Sequence, residues 1–386
     1  MDLTNAEIET TDESISDAAL NETQCRLFSS GTVLVAMYGG FNQIGRTGLL
    51  TRESATNQAI CAIELDTATA YPAFVLHWLN AHVSTWKSFA ASSRKDPNIT
   101  RDDVCGFPIC LPSIKEQRRI AGILATWDKA ITTMERLLVN CSNYWRALIG
   151  KLLMPVPLAT ERQAGSYPPS VQSGIPKLPP APNGWRKVAL GAHLHEINRP
   201  VILQPDAEYT LVTVRRSRGG VDKRVDLRGS EIKTPTQFSV ACGDFLISKR
   251  QIVHGACGIV PSELDGAVVS NEYTVLGTDG EIDPRFLRYL SETTYFQQTC
   301  FHSSIGVHVE KMLFRLDHWL KWPFNIPPVE EQRRIVEILD AAKRQIELAE
   351  QQLALLKAEK RALMQQLLTG KRRARIPAAE AEVGAS

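Results

Sequence analysis

Residues 107–120 read Phe-Pro-Ile-Cys-Leu-Pro-Ser-Ile-Lys-Glu-Gln-Arg-Arg-Ile, and residues 322–335 read Trp-Pro-Phe-Asn-Ile-Pro-Pro-Val-Glu-Glu-Gln-Arg-Arg-Ile. Position 108 corresponds to 323 and position 120 to 335, so the offset is 215 in both cases. Solenoid repeats have periods of about 20–50 residues. The longer offset indicates that a whole domain followed by a helix occurs twice. Two copies of one unit suit a ligand that is itself duplicated, such as duplex DNA.

A regular apolar pattern follows each Gln-Arg-Arg-Ile run, with spacings that alternate between four and three residues. Such spacing over more than four heptads predicts a coiled-coil helix. Helices are predicted within 112–154 and 327–370, each of about 40 residues or roughly 60 Å. The predicted helix-packing residues are Ile120, Leu124, Trp127, Ile131 and Leu138 in the first copy, and Ile335, Leu339, Ile346, Leu353 and Leu363 in the second.

The matched registers favour packing of the two helices on each other within one chain. An antiparallel coiled coil would place one globular domain at each end and relate the domains by a pseudo-twofold axis. The alternative is a coiled coil that only joins two molecules. Ser113 and Glu116 have the spacing of a capping box, which predicts the start of the first helix.

The two globular segments show strand-like runs in the same order, which predicts two α+β domains. Gly31-Thr-Val-Leu-Val-Ala parallels Gly243-Asp-Phe-Leu-Ile-Ser, and Pro72 corresponds to Pro284, before a predicted helix at 285–294. Strands are also predicted at 209–214 and 268–275. The predicted division is a first domain at 1–111, a proline-rich semi-rigid linker at 155–184, a second domain at 185–326 and a basic tail at 371–386.

Bulk composition excludes several classes of protein. The chain has 386 residues, 44% of them hydrophobic and 22% charged, with a formal charge of +2. A near-neutral chain can still bind nucleic acid through a local basic patch. The eight cysteines contain no Cys-x-x-Cys pair, which favours reduced thiols and a cytoplasmic location. No apolar run approaches the roughly 18 residues of a membrane span, so no membrane association is expected.

Catalytic and metal-binding motifs are not evident. Gly40 to Thr47 resembles a phosphate-binding loop but carries Arg46 where that motif has lysine. His193, His195, His302 and His308 have no further ligands at metal-binding spacing. The sequence therefore predicts a binding protein without catalytic residues or a metal site of its own.

The ordered set of repeated motifs resembles the specificity subunit of type I restriction-modification systems. The resemblance covers about residues 25–370. It rests on the two helix-heading runs and on shorter matches that are specific only as a repeated set: Met37-Tyr38-Gly39-Gly40, Thr56-Asn57-Gln58-Ala59-Ile60, Gly243-Asp244, Ser248-Lys249 and Val269-Ser270-Asn271-Glu272.

The resemblance implies two target recognition domains that each read one half of a split sequence in double-stranded DNA. It also implies long helices that space the two domains and bind two methyltransferase subunits, which restriction subunits join. Those partners would use S-adenosylmethionine, ATP and Mg²⁺, whereas this chain would hold no cofactor. The chain would be a non-catalytic subunit of a restriction endonuclease and adenine methyltransferase.

Polar loops after a strand in each domain supply the predicted DNA contacts. Amide, guanidinium and ammonium groups are the side chains that read base edges and bind phosphates. The alternative is that these are ordinary polar turn residues. The predicted contacts are Asn42, Gln43 and Arg46 in the first domain, and Lys249, Arg250, Gln251 and His254 in the second.

The first domain departs from the pattern of the second. Trp185 lies 58 residues before Gly243, whereas only 30 residues precede Gly31. About 30 residues of the first recognition domain are therefore expected to be missing. Residues 1–24 also hold seven acids and no base, which is an unusual surface for DNA.

Two other functions remain open at this point. A coiled-coil scaffold without DNA readout would assemble other proteins but leave the complex without DNA affinity. An autonomous nuclease or methyltransferase would bind S-adenosylmethionine or cut DNA as an isolated chain.

Overall fold

A computed structural model describes residues 3–40, 42–89, 98–154, 168 and 170–374. Residues 155–167 and 169 of the predicted linker, and the tail beyond residue 374, lie outside the described residues. The chain forms two compact units. The first contains residues 1–137 and 349–386, and the second contains residues 138–348. The start of one long helix and the end of the other therefore belong to each unit.

The first unit combines short strands with helices. Its elements are β1 (Ala6–Ile8), α1 (Asp17–Glu22), β2 (Leu27–Phe28), β3 (Val33–Ala36), β4 (Thr47–Leu50), β5 (Ser54–Ala55), β6 (Ile60–Ile63), α2 (Pro72–Ala81), α3 (Val83–Phe89), α4 (Arg101–Cys105) and the start of α5 (Ile114–Leu153).

A four-stranded sheet in the order β1-β4-β3-β6 forms the centre of the first unit. Successive side chains of a strand point to opposite faces, and both faces of β3 are covered by other side chains, so all four of its residues are buried. Val33 and Val35 pack in the cluster of Phe74 on α2, whereas Leu34 joins a smaller cluster on the opposite face. The continuous apolar run in β3 follows from this double burial.

The second unit holds the remaining strands and α-helices, with the start of α9 only. They are β7 (Arg186–Ala189), β8 (Leu194–Glu196), β9 (Pro200–Val201), β10 (Glu208–Val214), β11 (Val221–Arg228), β12 (Gln237–Ser239), β13 (Phe245–Ser248), β14 (Cys257–Ile259), β15 (Val268–Ser270), β16 (Tyr273–Thr278), α6 (Pro284–Leu290), α7 (Thr294–His302), β17 (Ser304–Ile305), β18 (Leu313–Phe314), α8 (Leu316–Trp319), β19 (Pro323–Ile326) and α9 (Val329–Leu368).

Two main sheets form the second unit, in the orders β14-β13-β16-β8 and β11-β10-β15-β12-β9. Phe245 and Ile247 of β13 face the core that includes α6, α7 and the start of α9. Leu246 faces the cluster on the other side of the sheet. β13 is thus buried on both faces in the same way as β3, and the α+β prediction for both domains is confirmed.

Two sequence predictions in this unit need correction. The predicted helix at 285–294 ends at Leu290, and α7 starts separately because the Thr293 side chain accepts a hydrogen bond from Phe296 N. The predicted strand at 268–275 is interrupted by the turn at Asn271 and Glu272, which separates β15 from β16.

The long helices α5 and α9 pack on each other in antiparallel fashion. In the first unit, Lys360 pairs with Asp128, and Lys357 pairs with Glu135 at 2.7 Å. Rising numbers on α5 therefore meet falling numbers on α9. All ten predicted helix-packing residues are buried or half-buried. The prediction of two packed long helices is confirmed.

A buried glutamine joins the start of each long helix to its own domain. Gln117 Nε2 donates to Thr69 O and Pro112 O, and its Oε1 accepts from Tyr71 N. Gln332 makes the three corresponding bonds. Its Nε2 donates to the carbonyls of residues 281 and 327, and its Oε1 accepts from the amide of residue 283. This contact, the glutamine latch, explains why Gln recurs in both Gln-Arg-Arg-Ile runs.

The predicted capping box is only half formed. Glu116 N donates to Ser113 Oγ at 3.4 Å, but the Glu116 carboxylate accepts two hydrogen bonds from Arg373 instead. In the second unit, the equivalent Glu331 accepts from the indole of Trp185 at 3.0 Å. Arg373 in the basic tail thus binds Glu116 in the first unit, as Trp185 binds the equivalent Glu331 in the second unit.

The described part of the linker is bound to the second unit. Asn325 Nδ2 donates to Pro179 O at 2.9 Å, and Val171 is buried. This part is therefore an ordered strap on the domain rather than a free spacer. Among the described residues, no helix is long and apolar enough to cross a membrane.

Candidate nucleic-acid interface

Met37 and Lys249 occupy the same position, at the base of the polar loop of each unit. Both residues make the same two backbone hydrogen bonds, one as donor and one as acceptor. The pairs are Met37 N to Ala59 O (2.8 Å), Ile99 N to Met37 O (3.0 Å), Lys249 N to Glu272 O (2.9 Å) and Phe314 N to Lys249 O (2.9 Å). The loops therefore start from one backbone frame and differ in their side chains.

In the second unit, the predicted residues Lys249 and Arg250 lie against the turn between β15 and β16. Lys249 Nζ donates to Asn271 O at 2.9 Å. Arg250 Nε donates to Glu272 Oε2 at 2.6 Å, and this hydrogen bond raises the pKa of Arg250. Arg250 is exposed, so its guanidinium can reach a ligand.

The predicted contacts Gln251 and His254 lie deeper in the same loop. Gln251 is half-buried, and His254 is only 1% exposed. His254 Nδ1 lies 3.1 Å from Ser170 Oγ, and Nε2 lies 3.1 Å from Glu310. Burial, and then the nearby Arg216, lower the pKa of His254 against the opposing effect of Glu310. The ring supports the loop from inside.

An arginine-rich hairpin tip lies next to this loop. β10 and β11 pair in antiparallel fashion, and residues 215–220 between them read Arg-Arg-Ser-Arg-Gly-Gly. Ser217 N donates to His254 O at 2.7 Å, and Arg218 N donates to Gly255 O at 3.0 Å. Arg215, Arg216 and Arg218 therefore extend the cationic surface of Lys249 and Arg250. These five residues are called the basic face below.

The backbone of the tip is strained. Ser217 has φ 57° and Arg218 has φ 61°, which is the left-handed region that costs non-glycine residues roughly 1–2 kcal/mol each. The two hydrogen bonds to residues 254 and 255 hold this conformation. Strain of this kind persists where the surrounding structure over-determines it, and it clusters at functional sites.

The tip arginines are not among the predicted DNA contacts. The run Arg215-Arg216-Ser217-Arg218-Gly219-Gly220 directly follows a predicted strand, and a Gly-Gly turn after a strand is a hairpin signal. A basic run at such a turn fits the electrostatic footprint of a nucleic-acid site. The signal was therefore present, although its proximity to the loop at 249–255 depends on tertiary structure.

The first unit presents a different loop. Asn42 is exposed, whereas Gln43 and Arg46 are half-buried. Arg46 Nε donates to Asn42 O at 3.2 Å, which closes the loop on itself. Gly45, at φ 73°, could not carry a side chain because a Cβ would lie 2.6 Å from the Trp86 ring. The three predicted residues are thus held in one compact turn.

Charge distinguishes the two units at equivalent positions. Met37 and Tyr38 stand where the second unit has Lys249 and Arg250. The acids among residues 3–22 are all exposed on the first unit. The first loop therefore offers amide and aromatic groups, with Arg46 as its cation.

The N-terminal segment of the first unit replaces the hairpin of the second. Gly48 pairs with Leu34, the second residue of β3, and Gly258 pairs with Leu246, the second residue of β13. The two glycines are therefore equivalent. A Cβ on Gly48 would meet Ile8 of β1, whereas a Cβ on Gly258 would meet Gly220 and Val221 beside the hairpin tip. In the first unit β1, an edge strand of the sheet that carries Glu7, thus lies where the other unit has its arginine-bearing hairpin.

Among the described residues, neither loop holds a cluster of metal-binding side chains. Within the described ranges, no group of three or more His, Cys, Asp or Glu side chains could hold a metal ion. The described polar groups of both loops are hydrogen-bonding and cationic, which suits contact with phosphates and base edges.

Comparison with known proteins identifies the family of the chain. A structure of the type I restriction-modification S subunit from M. genitalium matches with a TM-score of 0.54 and 13% identity, over 89% of this chain and 84% of that chain. A chain from a study of complex assembly and conformational transition of the type I system matches with a TM-score of 0.51 and 18% identity, over 89% and 83%. The family model described as "Type I restriction modification DNA specificity domain" matches residues 2–140 and 217–358. These ranges cover well over half of the chain, which therefore belongs to the family of type I restriction-modification DNA specificity subunits.

Proposed function

We propose that this specificity subunit binds duplex DNA mainly through the basic face of its second domain. The main support is that backbone hydrogen bonds join the loop at 249–255 and the hairpin tip at 215–220 into one cationic surface. Lysine and arginine bind phosphates, and arginine also reads guanine in the major groove. The hairpin turn and the polar loop would approach DNA together.

The first domain would read the other half of a split target with different chemistry. Asn42 and Gln43 carry amides, which suit bidentate contact with adenine. Fewer cations imply fewer phosphate contacts and a smaller share of the affinity. A bipartite target is therefore proposed, with the second domain supplying most of the binding free energy.

As a specificity subunit, the chain is a non-catalytic component of its complex. We propose that two methyltransferase subunits and the restriction subunits carry the chemistry, with S-adenosylmethionine, ATP and Mg²⁺ as their cofactors. The eight cysteines are free thiols in the structure. This fits a complex that works on DNA in the cytoplasm.

The long helices offer apolar surface for those partners. Thr126, Ala130, Met134, Leu137 and Leu356 line a shallow groove in the first unit. Leu137 is 47% exposed. Further exposed apolar side chains on the two helices are Val139, Tyr144, Ile338, Leu348 and Leu355. Contiguous exposed apolar surface marks protein-binding sites, and we assign the groove of the first unit to the methyltransferase subunits.

The test is to express the chain with its methyltransferase and to map methylated adenines in the host genome. A split motif with a fixed gap is the expected result. Lys249→Ala combined with Arg250→Ala should weaken DNA binding by at least tenfold, because two charge-assisted contacts are lost. Asn42→Ala with Gln43→Ala should change the sequence preference more than the affinity.

Two results would contradict the proposal. Unchanged DNA affinity and methylation in the Lys249 and Arg250 double variant would remove the basic face from the interface. A complex that assembles with the methyltransferase but has no DNA affinity would favour a scaffold instead.

A further inference from the structure

Four of the five cations of the basic face, Arg218 being the exception, are engaged by acceptors of their own unit. Arg216 lies 2.8 Å from Glu310, and Arg250 lies 2.6 Å from Glu272. Arg215 pairs with Asp222, and Lys249 donates to a backbone carbonyl. The three paired arginine side chains nevertheless remain 51–66% exposed. The face is therefore accessible but partly neutralised.

The three carboxylates come from three different parts of the fold. Asp222 belongs to β11, Glu272 to the turn between β15 and β16, and Glu310 to a single 3₁₀ turn at Val309–Lys311. Glu310 is also 3.1 Å from the buried His254 ring. Three separate elements thus each deliver one acid to one arginine.

Fold stability alone does not explain these pairs. Ion pairs between exposed side chains stabilise a fold little, because water and salt screen them. A DNA phosphate is a strong competitor for the same guanidinium, since binding also releases counterions from the duplex. The pairs are therefore exchangeable, and their main effect falls on binding.

We infer that Asp222, Glu272 and Glu310 are specificity-determining counterions that weaken the binding of non-target DNA. The inference rests on the proposed function of the basic face. On any duplex, the acids lie close to the phosphates and oppose them. On the correct sequence, base contacts offset this cost, and the arginines exchange carboxylate for DNA. Discrimination then comes from a repulsive element as well as an attractive one.

The experiment compares wild type with Glu272→Gln, Glu310→Gln and the double variant, each as the full chain. Fluorescence anisotropy would measure binding to a random-sequence 30-bp duplex and to the target duplex found by methylation mapping. Glutamine keeps size and hydrogen-bonding capacity but removes the charge. We expect random-sequence DNA to bind up to about fivefold more tightly per substitution. The target duplex should gain less, so the specificity ratio falls.

Glu281→Gln is the matched control. Glu281 pairs with Arg186 at 2.7 Å with similar exposure, 52% and 58%. It follows the far end of β16, away from Tyr273 and the loop. This variant frees one arginine elsewhere on the same unit and should leave both affinities unchanged.

Failure of the inference and failure of the proposed function give different results. Random-sequence affinity that does not rise in the glutamine variants, while Arg216→Ala and Arg250→Ala still weaken DNA binding, overturns the counterion role alone. Arginine variants that bind DNA as well as wild type overturn the proposed interface together with it. A rise of equal size in the Glu281→Gln control would show a general charge effect and would also reject the inference.

Discussion

At the scale of single residues, the glutamine latch shows how one side chain can fix a junction. Gln332 is fully buried and satisfies one backbone amide and two carbonyls. Buried polar groups left without a partner cost more than the hydrogen bond itself is worth. The latch therefore fixes the direction in which the domain continues into its long helix.

Gln332→Leu should destabilise the second unit by about 3–5 kcal/mol, because three backbone groups lose their partner. The measurement is the urea midpoint and slope followed by tryptophan fluorescence. Gln352→Leu is the control, since Gln352 is exposed on the same helix. A loss below 1 kcal/mol for Gln332→Leu would show that water replaces the amide.

His77 should make the stability of the first unit depend on pH. Burial lowers its pKa from 6.5 to about 4, and Lys360 adds to this effect while Asp128 opposes it. The unfolded chain then binds a proton between these values and the folded chain does not. Stability is complete above pH 6.5 and falls by roughly 1 kcal/mol per pH unit as the pH drops towards 4.

The check compares urea unfolding of wild type and His77→Leu at pH 7, 5.5 and 4.5. The variant should lose less stability on acidification, whatever its stability at pH 7. His308→Leu, an exposed position, should follow wild type. Parallel pH profiles for wild type and His77→Leu would contradict the assignment.

At the scale of elements, the two long helices depend on a few fully buried side chains near their starts. Leu124 and Leu339 are both 0% exposed in the clusters of their own units. Further along the helices, five of the predicted packing residues are half-buried and Ile346 is buried, while Lys360 pairs with Asp128. Most of the stability of each helix therefore comes from its contact with a domain.

Leu124→Ala and Leu339→Ala should each cost about 2–5 kcal/mol, which is the usual range for a fully buried leucine. Leu355→Ala, at a position 61% exposed, should cost less than 1 kcal/mol. Differential scanning calorimetry of the three variants measures the difference. Equal costs at buried and exposed positions would mean that helix propensity, and not packing, stabilises these elements.

Local patterns predicted the helices well and the tertiary contacts poorly. The heptads of 120–152 and 335–367 are a property of adjacent residues, so the helices could be located without a structure. Glu116 could not be assigned in this way, because its partner Arg373 lies 257 positions away. The predicted contact His254 failed to appear on the surface for a similar reason. Its burial depends on Ser170 in the strap and on Glu310.

At the scale of the whole molecule, the chain uses one backbone plan for two chemically different polar loops. Met37 and Lys249 have the same backbone bonds, yet only the second carries charge. The repeat was visible in the sequence, whereas the placement of the arginine-bearing hairpin beside one loop, and of β1 at the corresponding place in the first unit, became visible only in the fold.

Partner binding should depend on the exposed apolar side chains of the helices. Leu137→Asp should abolish or strongly reduce co-purification with the methyltransferase, because a charge at the groove would be buried without a partner. Val307→Asp is the control, since Val307 is 96% exposed outside the helices. Retention of the methyltransferase by a folded Leu137→Asp variant would place its binding site elsewhere.

The glutamine latch has a consequence for how such chains change over evolutionary time. Both junctions use the same three bonds, so a foreign domain that arrives by recombination meets a ready-made attachment point. One recognition domain could be replaced without changing the long helices or the binding of partner subunits. The long helices and their partner-binding surface could then be kept while the DNA sequence that a domain recognises changes.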